Sequence, residues 1–374
     1  MSASSRSPHG VRPVVPDHTL RRAEAFLRGE TRGWRWSALR LALTPPAMAF
    51  SGFMRLRSLA YRRGWLSSFK SPLPVISVGN LSAGGTGKTP FIRYLAARLR
   101  ERGLRPVILS RGYGSRPPGA LLDEEGASLE RDLGDVRVLQ GKKRSAIARR
   151  LAETGDRSAV LILDDAMQHL GLRRDLEIIL VDATSPFGSG WTFPAGILRE
   201  PPSALRRGNL ILVTHPDDVS PDDLLALQKR LAKVAPDALL GTARHVPTRL
   251  LPEGRWPEDL LGEGVFLVSG IARPETFERS VRRAGVNVLG RHNFPDHFAY
   301  SEAECRAVSE AAKAAGADIV LATGKDEPKL APLISGSEVP WRFLEVEVRP
   351  DEETEVHLEE LIETMLARTE RQPS

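Results

Sequence analysis

Cysteine is nearly missing from this 374-residue chain, where Cys305 stands alone. That excludes an internal disulfide framework and a cysteine-rich metal site, and it fits a reducing compartment. A secretory leader pattern is missing too: residues 1–18 are dominated by Ser, Pro, Arg and His, with no apolar core and no small-residue cleavage site. That opening reads as a disordered tail. No internal repeat or long low-complexity tract is visible. Nor does the N-terminal part hold a membrane span. Its longest charge-free run, residues 41–54, has 14 residues, whereas a helix needs about 20 to cross the hydrocarbon. Pro45-Pro46 is expected to interrupt that run.

What is present describes a folded chain: 41% of residues are apolar and 27% charged. The length favours two domains. The net charge of +6 is unevenly spread, because residues 1–72 hold 13 Lys/Arg against 3 Asp/Glu, hence +10, leaving 40 against 44, or −4, for the rest. This basic arm, residues 19–71, also holds three of the six tryptophans, Trp34, Trp36 and Trp65. Arginines mixed with interfacial aromatics predict a surface that lies on anionic lipid. Beyond the prolines, Ser51, Arg55, Ser58 and Arg62 share one helical face, and Ala49, Phe53, Leu56 and Ala60 another. The alternative is an amphipathic helix packed on its own protein. Nucleic acid is not expected as a partner, since the charge comes without a recognisable reader module.

From residue 72 to 245, short β-rich runs at 74–78, 107–109, 159–163, 178–181 and 210–213 alternate with helical patterns. Such alternation predicts an α/β fold with a doubly wound parallel sheet, whose ligands bind at the carboxyl ends of the strands. Residues 242–262, rich in Pro, Gly, Arg and Glu, read as a connection. A second, smaller α/β domain follows over 263–350, with a strand at 265–268, a helix near 274–284, an apolar run at 286–289, a capping box Ser301-x-x-Glu304 and a strand at 319–322. Residues 351–374 read as a charged helical tail that packs through Leu358, Leu361, Ile362 and Met365.

The most informative local pattern is Ser82-Ala83-Gly84-Gly85-Thr86-Gly87-Lys88-Thr89, between an apolar strand and a helix whose face is Phe91, Ile92, Leu95 and Leu99. It has the form of a P-loop with Ser82 in place of the first Gly. Glycines let backbone N–H groups turn in around a polyphosphate, Lys88 reaches the β/γ oxygens, and the Thr89 hydroxyl suits Mg²⁺. The helix N-terminus adds a favourable field for anions. Downstream, the strand at 159–163 runs into Asp164-Asp165, placed where the acid of a P-loop fold holds Mg²⁺ or its waters. At least one of the pair is expected to act on metal. Gln168 and His169 follow, able to position the acids or touch substrate. Glu200 could add to the metal shell and Arg199 could face phosphate, although a surface ion pair explains both as well. Asp296-His297 places a carboxylate beside an imidazole, an arrangement that tunes a proton acceptor.

Taken together, these blocks resemble the tetraacyldisaccharide 4′-kinase family, the lipid A 4′-kinases of Gram-negative bacteria. The resemblance rests on Ser77-Val78-Gly79-Asn80-Leu81 before the loop, Ser110-Arg111-Gly112-Tyr113-Gly114, Asp164-Asp165-Ala166-Met167-Gln168-His169 and Phe187-Gly188-Ser189-Gly190. It continues through Pro194-Ala195-Gly196-Ile197-Leu198-Arg199-Glu200, Pro295-Asp296-His297 and Thr323-Gly324-Lys325-Asp326. It implies ATP- and Mg²⁺-dependent phosphorylation of the 4′-hydroxyl of an acylated glucosamine disaccharide 1-phosphate, by a peripheral enzyme on the cytoplasmic face of the inner membrane. The family's general base falls within Leu122-Asp123-Glu124-Glu125-Gly126, at Glu124 or, with a one-residue shift, Asp123, paired with His297. Ser110, Arg111, Tyr113, Gln168, His169 and Arg199 become candidates for substrate or phosphate contact. Two other classes remain: a P-loop switch, weakly echoed by Thr214-His215-Pro216-Asp217, and a non-catalytic nucleotide-binding protein at the membrane.

Overall fold

The computed structural model describes residues 18–82, 85–112, 122–252, 254–271, 273–295 and 298–371. It falls into two compact units, one of residues 25–245 and 347–374, the other of residues 246–346 with the N-terminal 24. The larger begins with the end of α1 (His18–Arg28) and with α2 (Trp34–Arg62). It continues through β1 (Val75–Asn80), α3 (Lys88–Glu101), β2 (Arg105–Ser110), α4 (Glu124–Leu133), β3 (Arg137–Gln140), α5 (Arg144–Glu153), β4 (Ala159–Asp164), β5 (Leu176–Asp182), β6 (Leu210–Thr214) and α6 (Pro221–Val234) to β7 (Leu239–Leu251). The strand order is β3-β2-β4-β1-β5-β6-β7, and every neighbouring pair is parallel.

Alternation along the strands divides the core between two faces. Ile76, Val78, Ile162, Ile178, Leu180 and Leu212 pack with Phe91, Leu95 and Leu99 of α3. On the opposite face Val75, Leu109 and Leu161 meet Ala148 and Leu151 of α5, while Ile179, Val181 and Ile211 meet Leu227 and Leu231 of α6. Because both faces are covered, β1, β5 and β6 are buried along their whole length. Such strands appear in a sequence as unbroken apolar runs. This is the doubly wound α/β sheet expected above.

The smaller unit holds β8 (Gly264–Ser269), α7 (Pro274–Arg283), β9 (Asn287–Asn293), α8 (Glu302–Ala314), β10 (Ile319–Thr323), the short α9 (Glu327–Leu330) and β11 (Trp341–Pro350), and its strands pair in parallel in the order β9-β8-β10-β11. The capping box at Ser301 and Glu304 opens α8. The chain then closes with α10 (Glu352–Glu370), whose buried Leu358, Ile362 and Met365 join the core of the larger unit.

Two features differ from the sequence reading. The stretch 242–262 begins not as an irregular connection but as strand, since β7 extends to Leu251. Helix α2 also runs through Pro45-Pro46 without a break. Residues 41 and 42, one turn earlier, are exposed, so carbonyls that lose a helical donor there lie on the solvent side. The polar face expected on α2 is split: Ser51 meets the Thr192 hydroxyl at 2.8 Å and Ser58 accepts from Arg207 at 3.4 Å, while Arg55 and Arg62 stay exposed.

Candidate active site

The carboxyl end of β1 delivers Asn80, whose amide nitrogen donates to Ser82 O at 2.8 Å and so folds the chain into the glycine-rich loop. Ala83 and Gly84 lie outside the described residues. Gly87 is the N-cap of α3 with φ 81°, a left-handed conformation suited to glycine. Space demands glycine as well, because a Cβ there would stand 2.6 Å from His245 Nε2. His245 stacks on His215 with centroids 4.1 Å apart and planes within 3°. Burial and then His215 push its imidazole down to about 3. Thr214 Oγ1 donates to Thr86 O at 3.1 Å, and Arg199 N to Leu81 O at 2.7 Å. The loop is therefore tied on both sides.

Lys88, the first residue of α3, donates to Asn80 Oδ1 at 3.2 Å and stands 3.7 Å from Asp165 Oδ1. Asp165 follows β4 with φ 47°, an uncommon conformation for a non-glycine residue and one that collects at functional sites. Arg199 NH1 donates to both its oxygens at 2.8 Å. Against the upward push of burial, Lys88, Arg199 and Arg144 hold this carboxyl below its ordinary range. Asp164 ends β4 beside it. Gln168 Nε2 donates to Asn80 O and to Glu200 Oε1, each at 3.3 Å. Glu200 is buried, and Arg207 binds both its oxygens at 2.7 and 2.8 Å. This carboxylate, a candidate metal ligand by sequence, is thus neutralised by a guanidinium.

Ser110 ends β2 with a buried hydroxyl that has no hydrogen-bond partner among the described residues, and Arg111 beside it is exposed. Tyr113 and His297 lie outside the described residues. Asp123 is the N-cap of α4, accepting from Gly126 N at 2.9 Å and from Gln140 Nε2 at 2.6 Å. Its carboxylate is engaged in holding the helix end. Glu124 opens α4, but its side chain is not among those described. The structure thus gathers Ser82, Lys88, Asp165, Gln168, Arg199 and Glu200 into one network, while Thr86 is held separately by Thr214. Sequence reasoning gave no role to Asn80, at the end of β1, or to Arg144, Arg174 and Arg207, which reach the Asp165–Glu200 region from elsewhere in the chain. Only Asn80, within the block before the loop, had a local signal.

A glycine-rich loop between a buried strand and a helix, at the carboxyl edge of a doubly wound parallel sheet, defines a P-loop NTPase-like α/β protein. A family model described as tetraacyldisaccharide-1-P 4′-kinase matches residues 39–366, and the chain belongs to this kinase family. A tetraacyldisaccharide 4′-kinase of Anaeromyxobacter dehalogenans is 41% identical over 306 residues, covering 77% of this chain and 80% of the relative. One from Geobacter sulfurreducens is 38% identical over 321 residues, covering 81% and 88%. Among solved structures, LpxK from Aquifex aeolicus in complex with ATP superposes with a TM-score of 0.65 at 27% identity, over 88% of this chain and 99% of that one.

Proposed function

We propose that this kinase transfers the γ-phosphoryl group of ATP to the 4′-hydroxyl of a tetraacylated glucosamine disaccharide 1-phosphate, at the cytoplasmic surface of the inner membrane. The carrying observation is Lys88, set by Asn80 at the mouth of the loop and 3.7 Å from Asp165. In this reading Lys88 and the N–H groups at the start of α3 hold the ATP phosphates. Arg199 steadies Asp165 and adds positive charge near the transferred group. Glu124 takes the base role, because the Asp123 carboxylate is committed to capping α4. By resemblance, His297 supports that base. Ser110, Tyr113, Gln168 and His169 are read as neighbours of the substrate.

The donors around Lys88 suit magnesium. Thr89 offers a hydroxyl, and Asp164 and Asp165 offer carboxylates. Mg²⁺ is normally held by one or two carboxylates together with phosphates and water. When bound, the ion would neutralise charge on the phosphates.

The membrane reading is supported by α2. Trp34, Leu41, Met48 and Leu56 recur seven or eight residues apart, so they share one face, and all four are more than half exposed with Phe53 beside them. The inward face instead carries Ala47, Ser51, Met54 and Ser58. Its amphipathicity is inverted relative to a helix packed on a soluble core. No helix among the described residues is long and apolar enough to cross a membrane, so α2 is read as lying on the bilayer, held by its apolar stripe and exposed arginines.

The test is phosphate transfer from labelled ATP to the tetraacyl disaccharide 1-phosphate in mixed micelles, with Lys88→Ala alongside. Transfer is expected from the parent chain and a loss of at least about 10³-fold in the variant. Near-normal turnover by Lys88→Ala would remove the loop from the mechanism, and no transfer by the parent would refute the acceptor.

A further inference from the structure

Two histidines beside the glycine-rich loop have no part in the chemistry assigned above. His215 directly follows β6, and His245 lies in β7. Thr214, the last residue of β6, pairs in register with Ala243, so β7 runs on past the end of β6. Its continuation brings His245 onto His215, ring against ring. All of these residues belong to the larger unit.

The far side of the stack is anchored. His215 Nδ1 stands 3.3 Å from Asp182 Oδ2. Asp182 ends β5 and is buried, and its other oxygen accepts from Thr184 N at 2.9 Å and Thr184 Oγ1 at 2.7 Å. A carboxylate fixed in this way can set the orientation of the imidazole beside it. Among the described non-glycine residues only Asp165 and His215 have positive φ, 55° for His215. Such a backbone costs energy and collects at functional sites.

The near side meets the loop. The Nε2–Cε1 edge of His245 fills the place that a Cβ on Gly87 would take, with the two atoms 2.6 and 2.7 Å from that position. Nδ1 of the same ring is buried without a hydrogen-bond partner among the described residues. An apolar ring would pack there without burying an unpaired nitrogen, so packing alone is a poor reason for histidine. Because burial and then His215 bring the ring down to about 3, it is neutral and can lie face to face on another imidazole without like-charge repulsion.

We propose that Asp182, His215 and His245 form a positioning column under the P-loop, which fixes Gly87 and so aims the first N–H groups of α3 at the β- and γ-phosphates of ATP. The inference rests on the reading that this loop holds ATP, and it adds three residues that act through Gly87 rather than on the reacting atoms. Gly87 is the N-cap of α3, so a small rotation there re-aims the N–H groups of Lys88 and Thr89 together. A displacement of about 1 Å at such a point can cost on the order of 10²-fold in rate.

The experiment is a double-mutant cycle in the full chain: Gly87→Ala, His245→Ala and the two combined. Affinity for ATP is read by titration calorimetry without acceptor, with KM for the lipid acceptor and the melting temperature measured alongside. His245→Ala should weaken ATP binding about tenfold and leave KM for the lipid within about twofold. The factor lost through Gly87→Ala should be about tenfold smaller in the His245→Ala chain than in the parent, because the new methyl enters space that the imidazole has left. Additive losses would overturn the proposal. So would unchanged ATP affinity with a lowered melting temperature, which is packing alone, or equal losses toward ATP and lipid, which is general loosening. If the Gly87→Ala chain does not fold, Asp182→Asn takes its place: it should weaken ATP binding in the parent and add nothing in His245→Ala, whereas equal losses in both backgrounds would refute the column. A parent that binds ATP but phosphorylates no lipid would refute the acceptor reading and leave the cycle to decide this one. No ATP binding by the parent would refute both.

Discussion

Two long helices of the larger unit use their faces in opposite ways. In α10, Thr354, Leu358, Ile362 and Met365 fall on one stripe, and all are buried. Its polar side is held by charge: Glu359 pairs with Arg98 of α3 and with Arg102 just beyond its end, and Glu355 accepts from Tyr94 at 3.0 Å. In α2 the buried residues are Ala47 and Met54, with the partly buried Ser51 and Ser58 beside them, and most of the large apolar residues, Trp34, Leu41, Met48, Phe53 and Leu56, are exposed. One helix has an apolar face matched to its own core. The other has an exposed apolar face that no described residue of its own unit covers, the observation on which the membrane reading rests.

The comparison breaks most readily at Ile362. Ile362→Ala removes a fully buried side chain from the principal core cluster and is expected to cost about 2–5 kcal/mol, read as a lower midpoint in urea with little change in slope. An effect below about 1 kcal/mol would mean that α10 is not an integral part of that core. Replacing Trp34, Leu41 and Met48 together by Ser should act on the other quantity. Stability should stay nearly unchanged, since all three are mainly exposed. Partition onto anionic phospholipid vesicles should fall by about 100-fold, or roughly 3 kcal/mol, as three apolar side chains stop inserting. A large drop in melting temperature with unchanged vesicle binding would reverse the roles assigned to the two helices.

Much of this arrangement was legible in the sequence, and the reasons are local. Strands covered on both faces appear as apolar runs, which is why β1, β4, β5 and β6 could be placed; the loop before Lys88 announces itself by glycine spacing. Lys88, Asp165, Gln168 and Arg199 were candidates because each follows a strand or turn with recognisable punctuation. The guanidiniums around residues 165–168 had no such signal. Arg57, Arg207 and Arg144 reach backbone carbonyls there across 111, 40 and 21 residues of chain, and a lone arginine at such a separation looks like any solvated one. The outward apolar face of α2 was only half legible, because the turn-by-turn pattern shows two faces but not which of them the protein claims. Strand β7 was hidden by Pro247 and by charged positions that loops also carry.

The smallest expected effect concerns the seats of the two helices. α10 rests on carboxylate–arginine pairs, whereas the foot of α2 lies against His169, whose imidazole is lowered to about 4 by burial and the neighbouring arginines. Below an unfolded pKa of about 6.5 the unfolded chain takes up a proton that the folded chain refuses until about pH 4. Stability from this group is therefore complete above pH 6.5 and declines as pH falls toward 4. Allowing for water at its exposed edge, the loss between pH 7 and pH 5 is about 1 kcal/mol. His245, lowered to about 3, adds a decline of the same sign that is independent of α2. The difference between the parent chain and His169→Asn isolates the first contribution: the parent should lose more stability than the variant between pH 7 and pH 5. Equal losses would show that protonation of His169 costs the fold nothing, and that Arg57 and Arg144 do not bear on the imidazole as their placement implies.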